Sequence, residues 1–168
     1  IGRPILFLQV RQGYKGRPFM LMKFRTMTDE RDAGGALKKD EERLGKTGAL
    51  LRSLSLDELP QLWLVLWGKM SLVGPRPLPP LYRNRYNSEQ KKRFLVYPGV
   101  TGYAQVMGRN RLSWEERFRC DVEYVERQSL MLDLKILWQT VWNILFRTHT
   151  SSKGDTLSGP FEPKTRDE

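Results

Sequence analysis

Residues 52–68 read RSLSLDELPQLWLVLWG, so two adjacent carboxylates run directly into a dense apolar segment. The apolar density from Leu56 to Trp67 predicts a helix, and Gly68 stands where such a helix would end. The stretch therefore predicts a helix whose beginning carries Asp57 and Glu58.

The start of this helix has the S-x-x-E spacing of a capping box, with Ser55 and Glu58 as the two partners. We expect Ser55 to cap the helix and Asp57 to lie in its first turn. Unpaired N–H groups and the helix dipole stabilise an anion there, so Asp57 should stay ionised. A plain capping box that only stabilises the helix is the alternative interpretation.

Two arginines, Arg52 and Arg76, bracket the carboxylate pair in sequence, and Pro75 and Pro77 stiffen the backbone of Arg76. A carboxylate can act as a covalent nucleophile, a second can hold a hard cation, and guanidinium groups suit phosphate oxygens. Adjacent helical positions point about 100° apart, which favours separate roles for the two carboxylates. One could attack phosphorus while the other holds Mg²⁺.

Other basic residues are candidates for phosphate binding. Lys23 and Arg25 flank Phe24 in an expected strand, so both should point to one face and form a phosphate cradle. Arg109 follows Gly108, as expected for a loop that meets a ligand, although a bare turn fits equally well.

The rest of the chain predicts a compact α/β fold of the α+β kind, with a small antiparallel sheet and several amphipathic helices. A tract with four prolines, residues 75–80, should be a non-helical loop. Ser113 and Glu116 form a second capping-box pattern. The expected elements are a hairpin of Pro4–Val10 and Phe19–Arg25, helices at Leu37–Arg43, Thr47–Ser53, Ser88–Val96, Ser113–Arg127 and Leu132–Phe146, and a strand or extended loop at Val100–Arg111.

Composition sets the outer limits. A chain of 168 residues with 39% hydrophobic residues suits one domain, and a net charge of +10 implies an anionic partner. Nucleic acid, anionic lipid and a phosphorylated substrate all satisfy that charge. The single cysteine, Cys120, excludes an internal disulfide, and the single histidine, His149, excludes a zinc site built on several histidines.

Five motifs, in this order, resemble those of the bacterial sugar transferase family, the monotopic phosphoglycosyl transferases. The resemblance extends to about Phe146, which implies a catalytic domain over 1–147. The composition of 148–168, rich in Ser, Gly, Pro and charged residues, predicts a flexible, poorly packed tail. The motifs are residues 23–27 (KFRTM), 52–62 (RSLSLDELPQL), 70–77 (MSLVGPRP), 98–106 (PGVTGYAQV) and 108–110 (GRN).

The resemblance implies an enzyme that moves a sugar 1-phosphate from a UDP-sugar to a polyprenyl (undecaprenyl) phosphate and releases UMP. Such enzymes initiate the assembly of exopolysaccharide, capsule, O-antigen or glycoprotein glycans. They work through a covalent aspartyl phosphosugar intermediate. The implied location is the cytoplasmic face of the bacterial inner membrane, and a homodimer is allowed.

By positional match, Asp57 would be the nucleophile and Glu58, with Asp57, would hold Mg²⁺. Asp121 would support the site or the nucleotide end. The phosphate-binding residues would be Lys23, Arg52, Arg76 and Arg109.

Members of this family begin with an apolar re-entrant helix, and none precedes Ile1, so we expect the sequence to start inside a longer polypeptide. The remaining membrane contacts would be made by four tryptophans near basic residues, with core packing as the alternative. These are Trp63, Trp67, Trp138 and Trp142.

Two rivals explain part of the sequence. A basic nucleic-acid-binding module would account for the charge but not for the adjacent carboxylates. A membrane-surface scaffold with a decayed active site conflicts with the intact pair and its arginines.

Overall fold

A computed structural model describes residues 3–108, 111–146 and 161, which form mixed helix and strand around small hydrophobic clusters. The predicted α+β class is confirmed. In chain order, the strands and α-helices are β1 (Leu6–Gln12), β2 (Pro18–Phe24), α1 (Asp40–Arg43), α2 (Lys46–Ser53), α3 (Gln61–Leu66), β3 (Ser71–Val73), β4 (Gly99–Thr101), α4 (Tyr103–Met107), α5 (Trp114–Arg127) and α6 (Leu130–Phe146).

The predicted hairpin is confirmed. Strands β1 and β2 pair antiparallel, with Leu6 opposite Phe24 and Gln12 opposite Pro18. A short 3₁₀ turn joins them, in which Lys15 and Gly16 adopt positive φ angles of 55° and 68°. This arrangement brings Lys23, near the end of β2, back towards the middle of the chain's sequence.

A second, two-stranded sheet is parallel and pairs Ser71 with Gly99 and Val73 with Thr101. Each strand has only three residues, too few for a periodic signal, so the sequence did not reveal the pairing. Strand β3 leads into the Pro-rich loop of residues 75–80, and β4 leads into α4. Directly after β3, the Gly74 N–H donates to the Thr101 carbonyl at 2.9 Å.

Several predicted elements need correction. Val100–Arg111 is not a strand or extended loop throughout, because β4 ends at Thr101 and α4 follows it. The expected helix Ser88–Val96 is a 3₁₀ helix over Gln90–Leu95. The predicted non-helical loop is confirmed over residues 75–79, and a further 3₁₀ helix, Pro80–Arg85, begins at its last residue. The capping box of Ser113 and Glu116 is confirmed, with both reciprocal hydrogen bonds present.

Three hydrophobic clusters form the core of the part of the chain that the structure describes. One joins Val73 to α4, α5 and α6, a second is aromatic and lies between the Pro-rich loop and α5, and a third packs β2 on α3. The aromatic one includes Phe161, which is 4% exposed. At that position the expectation of a poorly packed tail is wrong; His149 and the rest of 148–168 lie outside the described residues.

Large apolar side chains are exposed on α3, at Trp67 directly after it, and on α6. They include the four tryptophans singled out from the sequence, Trp63, Trp67, Trp138 and Trp142. Core packing is therefore the wrong interpretation for these four. Among the described helices, none has both the length and the apolar character needed to cross a bilayer.

We predict that Gly99→Ala destabilises the protein by roughly 1–3 kcal/mol, because overpacking against rigid backbone has that typical cost. A Cβ at Gly99 would lie 2.1 Å from the Gly74 nitrogen and 2.2 Å from the Thr101 carbonyl oxygen. Urea unfolding in matched detergent measures the loss.

Gly34→Ala is the matched control, since its Cβ would meet only the Asp32 side chain at 3.4 Å. It should change the free energy of unfolding by no more than about 0.5 kcal/mol. Equal effects of the two substitutions would contradict the tight contact between β4 and the Pro-rich loop.

Candidate active site

The two carboxylates lie on a 3₁₀ turn, Leu56–Glu58, and not in the first turn of a capped α-helix. Ser55 adopts a left-handed conformation with φ 55° and ψ 20°, and its side chain makes no capping hydrogen bond. Its carbonyl accepts from the Glu58 N–H at 3.2 Å instead. The predicted capping role of Ser55 is wrong, because the chain must reverse directly after α2 and uses Ser55 for the reversal.

Glu58 forms two ion pairs through one oxygen. Its Oε1 accepts from Lys23 Nζ at 2.7 Å and from Arg76 Nη2 at 2.8 Å. Burial alone would raise the pKa of Glu58, but the charges of Arg76 and Lys23 and their hydrogen bonds outweigh it and lower the pKa to about 2. Glu58 is therefore ionised across the physiological range.

Asp57 is in a different state, although it is adjacent in sequence. Its side chain is buried, and within the described part of the chain no cation lies within ion-pair distance of it. Burial raises the pKa of Asp57 above its ordinary value, and the charge of Glu58 adds to this, whereas Lys23 and Arg52 oppose it. The two neighbouring carboxylates thus differ: Glu58 is paired with two cations, and Asp57 is in no ion pair with a described residue.

Arg52 lies on α2 and faces the same turn. Its Nε donates to Thr26 Oγ1 at 2.9 Å, and its Nη2 lies 3.0 Å from Met27 Sδ. The Arg52 charge also acts on the pKa of Asp57. Arg52 therefore links the segment after β2 to the turn that carries Asp57.

The backbone of Arg76 is held by Arg93, which forms a buried ion pair with Asp121. Arg93 Nη2 donates to the Arg76 carbonyl at 2.6 Å and contacts Asp121 Oδ2 at 2.9 Å. Burial raises the pKa of Asp121 to about 6, against the opposing charges of Arg93 and Arg117. Asp121 thus pairs with Arg93, and Arg93 in turn holds the Arg76 backbone.

The structure does not place Arg25 beside Glu58 with Lys23, because β2 ends at Phe24. Arg25 Nη1 pairs with Asp29 at 2.7 Å, and its Nε donates to the Pro4 carbonyl at 3.0 Å. Its role in phosphate binding stays a prediction. Arg109 lies outside the described residues.

Sequence reasoning missed three arginines near Arg76. These are Arg11, Arg93 and Arg117. Arg93 is buried. Burial, and then the positive charge of Arg76, lower the pKa of Arg11 and of Arg117. Arg117 lies over the Trp114 ring at 5.0 Å, four residues before Asp121. That i, i+4 spacing was the available signal for Arg117; Arg93, in the run Lys91-Lys92-Arg93, had none.

Asp57 and Glu58 are also the residues that could hold a metal. Within the described ranges, no group of three or more His, Cys, Asp or Glu side chains is arranged for metal binding. Mg²⁺ needs few protein carboxylates, because waters and substrate phosphates complete its coordination. Lys23 and Arg76 both contact Glu58 through Oε1, which leaves Oε2 as an oxygen donor. The carboxylate pair of Asp57 and Glu58 therefore fits Mg²⁺.

Comparison with known proteins identifies the family. The model of the family described as "Bacterial sugar transferase" matches residues 1–147. The chain belongs to the bacterial sugar transferase family. It is therefore a transferase, as the resemblance predicted.

Individual relatives agree with this membership. The chain is 58% identical to the "Uncharacterized sugar transferase EpsL" of Bacillus subtilis (strain 168), over 86% of this chain and 72% of that protein. It is 42% and 38% identical to proteins named UDP-glucose:undecaprenyl-phosphate glucose-1-phosphate transferase from Klebsiella pneumoniae and Xanthomonas campestris pv. campestris, over 83% and 84% of this chain. The chain spans 32% of each of those two longer relatives.

We predict that Arg93→Met destabilises the protein more at pH 8 than at pH 5. A carboxyl with a raised folded-state pKa holds extra protons when folded, so its contribution to stability falls as pH rises from 3.8 towards 6. Without Arg93 the pKa of Asp121 rises further, which extends the loss to higher pH. Urea unfolding should show a loss of about 3–5 kcal/mol at pH 8, the typical cost of breaking a buried ion pair.

The control is Arg93→Met combined with Asp121→Asn, which removes the titrating group and should abolish the difference between the two pH values. A loss of equal size at pH 5 and pH 8 in the single variant would contradict an ionised Asp121 paired with Arg93.

Proposed function

We propose that this chain transfers a sugar 1-phosphate from a UDP-sugar to polyprenyl phosphate and releases UMP, with Asp57 as the nucleophile. The main support for this proposal is the difference between the adjacent carboxylates. Glu58 is bound by two cations, and Asp57 is in no ion pair with a described residue. A nucleophile needs an available electron pair, which favours Asp57. The printed names of the Klebsiella and Xanthomonas relatives support the donor and acceptor classes.

In the first step, an Asp57 carboxylate oxygen attacks the phosphorus that carries the sugar. The bond between that phosphorus and the bridging oxygen breaks, and UMP leaves with the electron pair. In the second step, an oxygen of polyprenyl phosphate attacks the same phosphorus, and Asp57 leaves as a carboxylate. The bond between the sugar and its phosphate oxygen persists, and the product is a polyprenyl diphosphate sugar.

The surrounding cations stabilise the charge that both steps place on phosphate oxygens. Lys23 and Arg76 already converge on Glu58, so each has its donor groups beside the reacting region. Arg52 acts from the α2 side, and Arg25 and Arg109 are further candidates for the phosphates. Asp121 contributes indirectly, through Arg93 and the Arg76 backbone.

Mg²⁺ would be held by Glu58, with Asp57 as a second oxygen donor before attack. An ion held there would supply positive charge that stabilises the negative charge of the diphosphate. Lys23 and Arg76 keep Glu58 ionised, which is the form that binds a hard cation.

We predict that Asp57→Asn abolishes the exchange of labelled UMP into UDP-sugar in the absence of acceptor, with a loss of roughly 10³-fold or more. Such exchange requires a covalent intermediate, because no acceptor is present to take the sugar phosphate. The assay uses protein in detergent or nanodiscs, Mg²⁺ and a panel of UDP-sugars, which also identifies the donor.

Asp40→Asn, a substitution on exposed α1, is the control and should leave the exchange unchanged. Glu58→Gln should lower the rate while a measurable exchange persists. UMP release that depends strictly on acceptor, with no exchange at any donor concentration, would contradict the two-step mechanism. Salt-sensitive oligonucleotide binding with no UMP release would favour the nucleic-acid module instead.

We also propose that α3 and α6 contact the cytoplasmic leaflet of the bacterial inner membrane. Trp63 and Trp67 on the α3 segment are 59% and 65% exposed, and α3 begins three residues after Glu58. An open apolar groove of about 550 Å³ lies between α6 and the segment that runs from the end of α3 through β3. Tryptophan suits the interface of a bilayer, where a lipid-linked phosphate would be presented to Asp57.

We predict that the double variant Trp63→Gln/Trp67→Gln binds anionic vesicles about tenfold more weakly or worse, since burying a large apolar side chain contributes about 1.5–3 kcal/mol. Vesicle sedimentation measures the affinity. Leu50→Gln, at a position 53% exposed on α2, is the matched control. Equal effects of the two changes would contradict a membrane contact through α3, and a vesicle-independent dimer lost in the double variant would assign this face to a homodimer.

A further inference from the structure

Phe161 is buried within an aromatic cluster formed with Tyr82, Tyr86, Trp114 and Phe118. Its ring centroid lies 4.9 Å from that of Phe118 and 5.6–5.9 Å from the other three. Edge-to-face and offset pairs at these distances are favourable beyond the apolar area they bury. The Phe161 carbonyl also accepts from Arg85 Nη1, so both its backbone and its ring are held.

The same cluster surrounds the guanidinium of Arg93. The Arg93 Cζ lies 5.9 Å from the Tyr86 ring centroid and 5.4 Å from that of Phe118, and Phe94 adds a third ring at 5.7 Å. Arg93 Nε and Nη1 are buried without a hydrogen-bond partner among the described residues. Ring faces attract a desolvated cation, so these rings stabilise the part of the guanidinium that hydrogen bonds do not.

Arg93 transmits this position to the active site. Its Nη2 donates to the Arg76 carbonyl at 2.6 Å, and Arg76 Nη2 donates to Glu58 at 2.8 Å. Phe161 packs on Tyr86 and Phe118, the two cluster rings that Arg93 faces. A continuous set of contacts therefore runs from Phe161 to Glu58.

We propose that Phe161 is a positioning residue for Arg76: it completes the aromatic cluster that holds Arg93, and Arg93 fixes the backbone of Arg76. The importance of Arg76 rests on the proposed function, whereas the position of its loop does not. Phe161, which follows α6 in the chain, thus contributes to the geometry of a site built from the hairpin, the 3₁₀ turn and the Pro-rich loop.

The first test needs no turnover. Hydrogen exchange measured by mass spectrometry compares Phe161→Ala with Ile136→Ala, a substitution at a fully buried position outside the aromatic cluster. We expect Phe161→Ala to increase exchange in residues 75–79, the segment that carries the Arg76 and Leu78 amides, beyond any increase in Ile136→Ala, whose side chain packs in the cluster that contains Val73. Unchanged or equal exchange in that segment would overturn the proposal.

The second test is a double-mutant cycle on kcat/KM for UMP release, measured with acceptor present. Phe161→Ala should lower kcat/KM about tenfold, since small misplacements of a binding group can cost up to about 10²-fold. Phe161→Leu, which refills most of the space, should restore it to within about threefold. In an Arg76→Gln background, Phe161→Ala should have almost no further effect, because the two changes remove the same interaction.

A full tenfold loss in the Arg76→Gln background would mean that Phe161 acts only on general stability, and would overturn the proposal. Ile136→Ala should leave the KM for UDP-sugar unchanged. If the wild-type protein releases no UMP with any donor, the proposed function fails while the hydrogen-exchange result still decides the role of Phe161.

Discussion

The carboxylate of Glu58 is the point at which three distant segments of the chain are joined. Lys23 reaches it from 35 residues upstream and Arg76 from 18 residues downstream. Two cations on one partly buried oxygen offset the cost of its desolvation. The hairpin, the 3₁₀ turn and the Pro-rich loop therefore hold one another in place through this carboxylate.

This arrangement also separates the chemistry of two neighbouring residues. The charges of Arg76 and Lys23 lower the pKa of Glu58 to about 2, whereas burial raises the pKa of Asp57. Because Lys23 and Arg76 pair with Glu58, they leave the Asp57 carboxylate available for the nucleophilic role that we propose for it. Adjacent positions in the sequence therefore supply the two proposed roles, with Glu58 as the carboxylate that binds cations and Asp57 as the nucleophile.

Much of this could be predicted from sequence, and the reasons for the failures are physical. The hairpin carried a clear turn signal between two apolar runs, and the capping box at Ser113 was met in full. The same S-x-x-E pattern misled at Ser55, because local spacing cannot reveal that the chain must reverse there. Motif order indicated the residues around Asp57, but Arg93 and Phe161 act through burial and contacts between distant segments, which no local pattern encodes.

The most direct test of the account asks which of the two neighbouring carboxylates becomes covalently modified. Protein in nanodiscs is mixed with Mg²⁺ and the UDP-sugar donor without acceptor, quenched, and mapped by peptide mass spectrometry across residues 53–69. We expect a sugar-phosphate adduct on Asp57 that disappears when polyprenyl phosphate is added. An adduct on Glu58, or UMP release by an enzyme that never carries an adduct, would contradict the division of roles between the two residues.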